Sequence, residues 1–320
     1  MAIKIISLND CASFDEEDFA SEVLLMGRLR NPNIVALYGV CYTSSDRRLI
    51  VELVEGGSLD KRINELRNGK KSCNLGKKIR MLIDIISGVS YLHSFNPKII
   101  HRDLKPGNVL IGNNDQAKIC DFGMSKLVSQ TNKSNTARVG TISYMAPEMI
   151  APSTGIKYRR PVSGRQSIFK NHNRYEIMDE QQTSFNSSAQ YDTSVDIYSF
   201  GIIMWELFFE ESPYSYINKV KLGLDKGPSI YDKLENQFMV AQHVSIDGLR
   251  PHIPFETKEE CYSWIERYMR EGKSTEHLFN IVFKYIELMT RCWSQKPEER
   301  PSSLEVLQSL TELQKEYTKG

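Results

Sequence analysis

No two of the six cysteines, Cys11, Cys41, Cys73, Cys120, Cys261 and Cys292, form a C-x-x-C pair. That excludes the common zinc and dithiol redox motifs, and scattered thiols fit a reducing compartment. Charge of one sign is missing too. The chain has 41 Lys and Arg against 40 Asp and Glu, a formal net charge of +1. So small a surplus gives no overall field to attract nucleic acid or an acidic membrane. No apolar run reaches the roughly 20 residues that a membrane-spanning helix needs. The longest, VDIYSFGIIMWELFF at 195–209, carries Asp196 and Glu206 and predicts a buried core helix. The first residues hold no signal-peptide apolar stretch. Together these absences predict a cytoplasmic chain. There are 19 glycines, yet none builds a G-x-G-x-x-G loop, so a phosphate cradle of that type is absent.

The 320 residues can bury a large core as one big domain or two lobes. The opening MAIKIIS is a β-branched run with Lys4 inside it and predicts a strand. A helix follows in SFDEEDFASEVLLMGRLR. Ser13 and Glu16 have capping-box spacing, and Phe19, Val23, Met26 and Leu29 recur at helical intervals. Asn31 to Asn33 stops it. NIVALYGVCY and RRLIVELV predict further strands. From Lys77 the pattern turns strongly helical, with Ile79, Leu82, Ile83, Ile86 and Val89 on one face. The expected fold is therefore α+β and two-lobed: a small antiparallel sheet plus one helix over 1–55, and a mainly helical lobe over 56–320, divided near Gly56 and Gly57.

Two stretches look inserted. Residues 151–190 are polar and without sustained period. They predict a mobile insertion. Its basic residues (Lys157, Arg159, Arg160, Arg165, Lys170 and Arg174) suit either a solvated loop or a docking site for an acidic partner. Residues 214–241 predict a loop carrying a short helix. There are no internal repeats.

The chemistry concentrates in IIHRDLKPGNVLIGNN. His101, Arg102, Asp103, Lys105 and Asn108 crowd one loop between apolar, strand-like runs. KICDFGMSK and GTISYMAPE follow. In order, these match H-R-D-L-x-x-x-N, D-F-G and A-P-E. A single such tripeptide is weak evidence, but three in sequence are specific. On these residues the chain resembles the eukaryotic protein kinases over nearly its whole length. The style is closest to the tyrosine-kinase-like group, most of whose members phosphorylate serine and threonine. VEGGSL and the RCWSQKPEERPS ending carry that look, and Lys105 in HRDLKPGN with Thr141 before A-P-E is similar to the serine/threonine type.

The resemblance implies ATP and Mg²⁺ as cofactors and a protein substrate with a Ser or Thr hydroxyl, with no part for nucleic acid. Phosphoryl transfer needs positioning and charge neutralisation more than covalent work by the protein. Asp103 would accept the substrate proton, and Lys105 would neutralise the moving phosphoryl group. Asn108 and Asp121 would hold Mg²⁺ through oxygen. Lys4 matches the lysine of V-A-I-K, with Met in place of Val. It would grip phosphates while paired with Glu22, whose bland alternative is a solvent-facing charge. Ala2, Val51 and Leu110 would line the adenine pocket, and the backbone of Glu52, Leu53 and Val54 would hydrogen-bond the base. Arg102 would anchor a phosphate on the activation loop, where Thr141 and several serines and threonines lie. His101 would pack in a column with Met26, Leu37 and Phe122. Asp196 would brace the catalytic loop, and Glu148 would pair with Arg300. Cys120, beside Asp121, is expected to be a small buried thiol.

One departure is plain. Only three residues precede Lys4, so the glycine-rich loop and two strands that the family places ahead of this lysine are missing. The small lobe is thus expected to be truncated. The chain is then either a fragment of a larger multidomain protein or a genuinely shortened kinase. A silent pseudokinase-like scaffold is the rival to an enzyme.

Overall fold

The computed structural model describes residues 1–7, 16–123, 125–127, 142–150, 159–161, 175–177, 192–215, 219–224, 230–234, 236–269 and 271–319. The β-branched opening run forms β1 (Ala2–Ser7). With β2 (Leu37–Tyr42) and β3 (Asp46–Val51) it makes an antiparallel sheet of order β1-β3-β2. The register sets Ala2 opposite Val51 and Lys4 opposite Leu49. Alternation along β1 sends Ile3 and Ile5 outward, while Ala2, Lys4 and Ile6 are half-buried.

Helix α1 (Glu16–Arg28) buries Phe19 and Met26, with Leu29 just beyond its end, as their spacing predicts. Phe19 meets Tyr42 of β2 edge to face at 5.9 Å between ring centres. The expected capping residue Ser13 lies outside the described residues. Glu16 instead turns its carboxylate to Arg47 Nε on β3, at 3.0 Å.

The larger lobe is helical. Its frame is α2 (Leu59–Arg67), α3 (Leu75–His93), α4 (Pro147–Ile150), α5 (Ser194–Phe209), α6 (Gln237–Ile246), α7 (Lys258–Tyr268), α8 (Thr275–Cys292) and α9 (Ser303–Lys319). Short ladders interrupt it: β4 (Ile99–Ile100) with β7 (Lys126–Leu127), and β5 (Val109–Ile111) with β6 (Ala117–Ile119). Asn74 caps α3 by accepting from the Lys77 amide at 2.9 Å. On α3, Ile79, Leu82, Ile86 and Val89 are fully buried, and so are Met81 and Ile85, because α9 and α5 pack on different sides of the helix. Every residue of α5 from Val195 to Phe209 is buried, which makes it the axis of the lobe. Truncating one of its large apolar side chains to alanine would cost about 2–5 kcal/mol.

Gly56 and Gly57 lie between β3 and α2. Gly57 has φ +78°, and a Cβ on Gly56 would collide with the Ile111 carbonyl oxygen. A seam runs from the end of α1 to β6. There the Val35 amide donates to the Ile119 carbonyl at 2.9 Å, and the Ile119 amide donates to Asn33 at 2.8 Å. Of the stretch 151–190, the described residues form one short antiparallel pair, β8 (Arg159–Pro161) with β9 (Tyr175–Ile177). In the stretch 214–241, α6 begins at Gln237. Among the described residues no helix is long and apolar enough to cross a membrane.

Candidate active site

Lys4 is the meeting point of the two lobes. β1 points its side chain into the cleft, where Nζ lies 3.3 Å from Glu22 Oε1 and 2.8 Å from Asp121 Oδ1. Helix α1 presents Glu22 from its buried face, beside Phe19 and Met26, so the carboxylate is almost wholly covered. The charges respond to this crowding. Burial alone would push the Lys4 ammonium down, but Glu22 and Asp121 together hold it above the ordinary lysine range. Burial pushes the Glu22 carboxyl up, against the pull of Lys4. Burial would raise Asp121 as well, and there Lys4 prevails and keeps it below the usual carboxylate range.

The catalytic-loop motif folds between β4 and β5. Its backbone turns sharply: Arg102 has φ 67°, a left-handed conformation costly for a residue with a side chain. Asp196 of α5 holds it there. This fully buried carboxylate accepts the His101 amide at Oδ2 and the Arg102 amide at Oδ1, both at 2.9 Å. His93, the last residue of α3, approaches the same Oδ2 with Nε2 at 2.9 Å. His101 itself is buried. Its Nε2 reaches the Cys120 carbonyl at 3.1 Å, and its ring meets Phe122 edge to face at 5.3 Å. Met26 and Phe122 are buried, and Leu37 packs against the core.

Asp103 follows directly. Its Oδ2 takes Lys105 Nζ at 2.8 Å and Asn108 Nδ2 at 2.8 Å, and Asn108 Nδ2 also reaches the Asp103 carbonyl at 2.8 Å. The other carboxylate oxygen, Oδ1, is buried and has no hydrogen-bond partner among the described residues. Asn108 is tied to the D-F-G segment by its carbonyl, which accepts the Cys120 amide at 2.9 Å. Asp121 is itself left-handed, with φ 63°. One cleft therefore holds an acceptor, two cations and two oxygen donors. Cys120 is half-buried, and burial pushes its thiol up to about 12, so it remains protonated.

The family model described as "Protein kinase domain" matches residues 1–163, and that described as "Protein tyrosine and serine/threonine kinase" matches residues 181–310. The chain belongs to the protein kinase family. A probable serine/threonine-protein kinase of Dictyostelium discoideum is 33% identical over 230 residues, covering 72% of this chain and 19% of that protein. The serine/threonine-protein kinase STY46 of Arabidopsis thaliana is 28% identical over 316 residues, covering 99% of this chain and 40% of its own length. Another Arabidopsis relative, the serine/threonine-protein kinase CTR1, is 29% identical over 222 residues, 69% of this chain and 22% of that protein. This kinase chain thus spans between 19% and 40% of the length of these curated relatives.

Ala2 and Val51 face each other across the β1–β3 ladder, and Leu110, half-buried on β5, forms a bridge with Ser58. In the segment Glu52 to Val54, the Glu52 amide donates to the Ala36 carbonyl at 2.9 Å, and the Glu52 side chain pairs with Lys118 at 2.8 Å. Next to it, Leu53 has its side chain in solvent. The bond to Ala36 arises because β2 joins the end of β3 through a shifted register at Leu37 and Gly39, which brings Ala36 beside Glu52. Thr141 lies outside the described residues. Arg102 is buried. The ion pair between Glu148 and Arg300 is present. His93 and its contact with Asp196 had no signal in the sequence, since a histidine closing a helix is usually read as a C-terminal cap.

Proposed function

We propose that this chain is the catalytic domain of a serine/threonine protein kinase, transferring the γ-phosphoryl group of ATP to protein hydroxyls. The carrying observation is Lys4 held between Glu22 and Asp121, at 3.3 and 2.8 Å. We read residues 1–55 as its small lobe and 56–320 as its large one.

In this reading Lys4 grips the nucleotide phosphates, and Glu22 fixes the direction of its ammonium. Asp103 is the proton acceptor. Lys105 and Asn108 occupy Oδ2, which leaves the buried Oδ1 to receive a substrate hydroxyl. Lys105 also offsets charge on the moving phosphoryl group. The donor set suits Mg²⁺, a hard cation that takes few protein oxygens. Asn108 has its amide nitrogen committed to Asp103, so its oxygen would be the atom to hold the metal, and ionised Asp121 would supply the second. Bound there, the metal would neutralise the phosphates as charge develops. Arg102 would anchor an activation-loop phosphate, with Thr141 among the candidate positions. The serine/threonine preference is supported by the names of the relatives, and their greater length supports a domain within a larger protein. The described cysteines are all free thiols, in keeping with a cytoplasmic setting.

The test is transfer of labelled phosphate from ATP·Mg²⁺ to a generic protein substrate, followed by phosphoamino acid analysis. Phosphoserine or phosphothreonine, lost in Asp103→Asn, is expected. Label appearing only on tyrosine, or equal transfer by the variant, would overturn the reading.

A further inference from the structure

Ser303 opens α9 and takes no part in the cleft. It is nevertheless buried, 6% exposed, with its hydroxyl turned inward. Its Oγ lies 3.2 Å from His93 Nδ1. The other ring nitrogen of His93 meets Asp196 at 2.9 Å, and Asp196 holds the amides of His101 and Arg102 at 2.9 Å. A continuous line of polar contacts thus runs from the start of α9, through the end of α3 and the axis helix α5, to the residue before Asp103. Each of these five residues is buried, so each contact is made away from competing water.

The protons along this line are constrained. Burial would raise the Asp196 carboxyl, but the His93 hydrogen bond leads the groups that outweigh it, with His101 adding to the effect, and the carboxyl is held below its usual range. Asp196 is therefore an anion and can only accept. His93 must present N–H at Nε2. That leaves Nδ1 facing a serine hydroxyl at the N-terminal end of α9, where backbone N–H groups carry partial positive charge. The charges near this end are already engaged: Glu305 accepts the Ser302 amide at 2.7 Å, and Arg300 grips Glu148 at 2.6 Å. A hydroxyl that donates to a bare Nδ1 satisfies every atom.

We propose that Ser303 is a positioning residue for the catalytic loop: its hydroxyl donates to His93 Nδ1 and fixes the Nε2–H tautomer that holds Asp196 under His101 and Arg102. This rests on the kinase reading only for its effect on turnover. Ser303→Ala removes the donor and leaves Nδ1 without a protein partner. Ser303→Thr keeps the hydroxyl.

The experiment is carried out on the whole chain. Nitrogen-15 spectra of histidine-labelled wild-type protein at neutral pH should show His93 as the Nε2–H tautomer, assigned by comparison with His93→Gln. In Ser303→Ala, the Nδ1 resonance should move to the position of an unbonded nitrogen. Exchange of the His101 and Arg102 amides should also quicken about five-fold, the factor one hydrogen bond represents. The kcat should fall by a similar factor, with the KM for ATP unchanged because Lys4, Glu22 and Asp121 are untouched. Ser303→Thr should restore all three. A wild-type His93 with Nδ1 protonated overturns the proposal, and so does a Ser303→Ala protein with unaltered exchange at both amides. If the wild type transfers no phosphate, the kinase reading fails, while spectra and exchange still decide the role of Ser303.

Discussion

Arg300 grips Glu148 with both prongs of its guanidinium, Nη1 to Oε1 at 2.6 Å and Nη2 to Oε2 at 2.9 Å. The same side chain donates to the carbonyls of Ser294 and Ser194 at 2.9 and 3.1 Å. Three segments far apart in sequence thus meet on one cation that water does not reach. Arg300→Ala should destabilise the fold by about 3–5 kcal/mol, because it strands a partly buried carboxylate. The urea midpoint of unfolding checks this. Arg300→Lys should recover only a minor part, since an ammonium cannot reproduce the planar fork.

At the catalytic loop, Asp103→Asn keeps the size of the side chain and removes its basicity. Turnover should fall by about 10²–10⁴-fold, the range for loss of a positioned base. The thermal shift given by ATP·Mg²⁺ should persist, because the groups around Lys4 are unchanged. Single-turnover transfer and thermal shift, measured side by side, separate the two effects.

For Lys4 and Glu22, the 3.3 Å contact predicts coupling. Lys4→Met and Glu22→Gln should each weaken ATP binding, and the double variant should lose less than the sum. A double-mutant cycle on nucleotide affinity should return an interaction of about 0.5–3 kcal/mol. Strict additivity would mean that the pair does not act as a unit.

Glu206, buried in α5, accepts the Tyr144 hydroxyl at 2.6 Å. Burial moves its carboxyl from 4.5 to about 7. The folded state therefore binds this proton more tightly than the unfolded chain does. The associated stability is complete below about pH 4.5 and is lost as pH rises through about 7. Its size is on the order of 3 kcal/mol. Glu206→Gln should flatten the fall of Tm between pH 5 and 8, roughly the interval over which the buried carboxyl titrates. An unchanged slope would assign the effect to other groups.

Much of the fold and site can be read from local pattern. The helical spacing of Phe19 and Met26 buries one side of α1 and leaves Glu22 beside them. The five polar residues from His101 to Asn108 lie in one loop, so their order alone carries their meaning. What escaped local reading depends on long closures. That Lys4 touches Asp121, 117 residues away, has no periodic trace. Neither has the contact of Ser303 with His93, since a serine opening a helix has a sufficient local explanation as a capping residue. The Glu52 amide meets Ala36 through a shifted register, which side-chain alternation does not encode.

The bracing of the catalytic loop by Asp196 bears on the order in which the molecule is built. The amides of His101 and Arg102 find their acceptor 95 and 94 residues further along the chain. Until α5 has been synthesised and docked, the left-handed turn at Arg102 lacks the carboxylate that accepts its amide. The loop therefore cannot complete its bracing before α5 is in place, although it lies in the first half of the sequence. A nascent chain that has not yet reached residue 196 carries all the letters of the motif and none of its geometry.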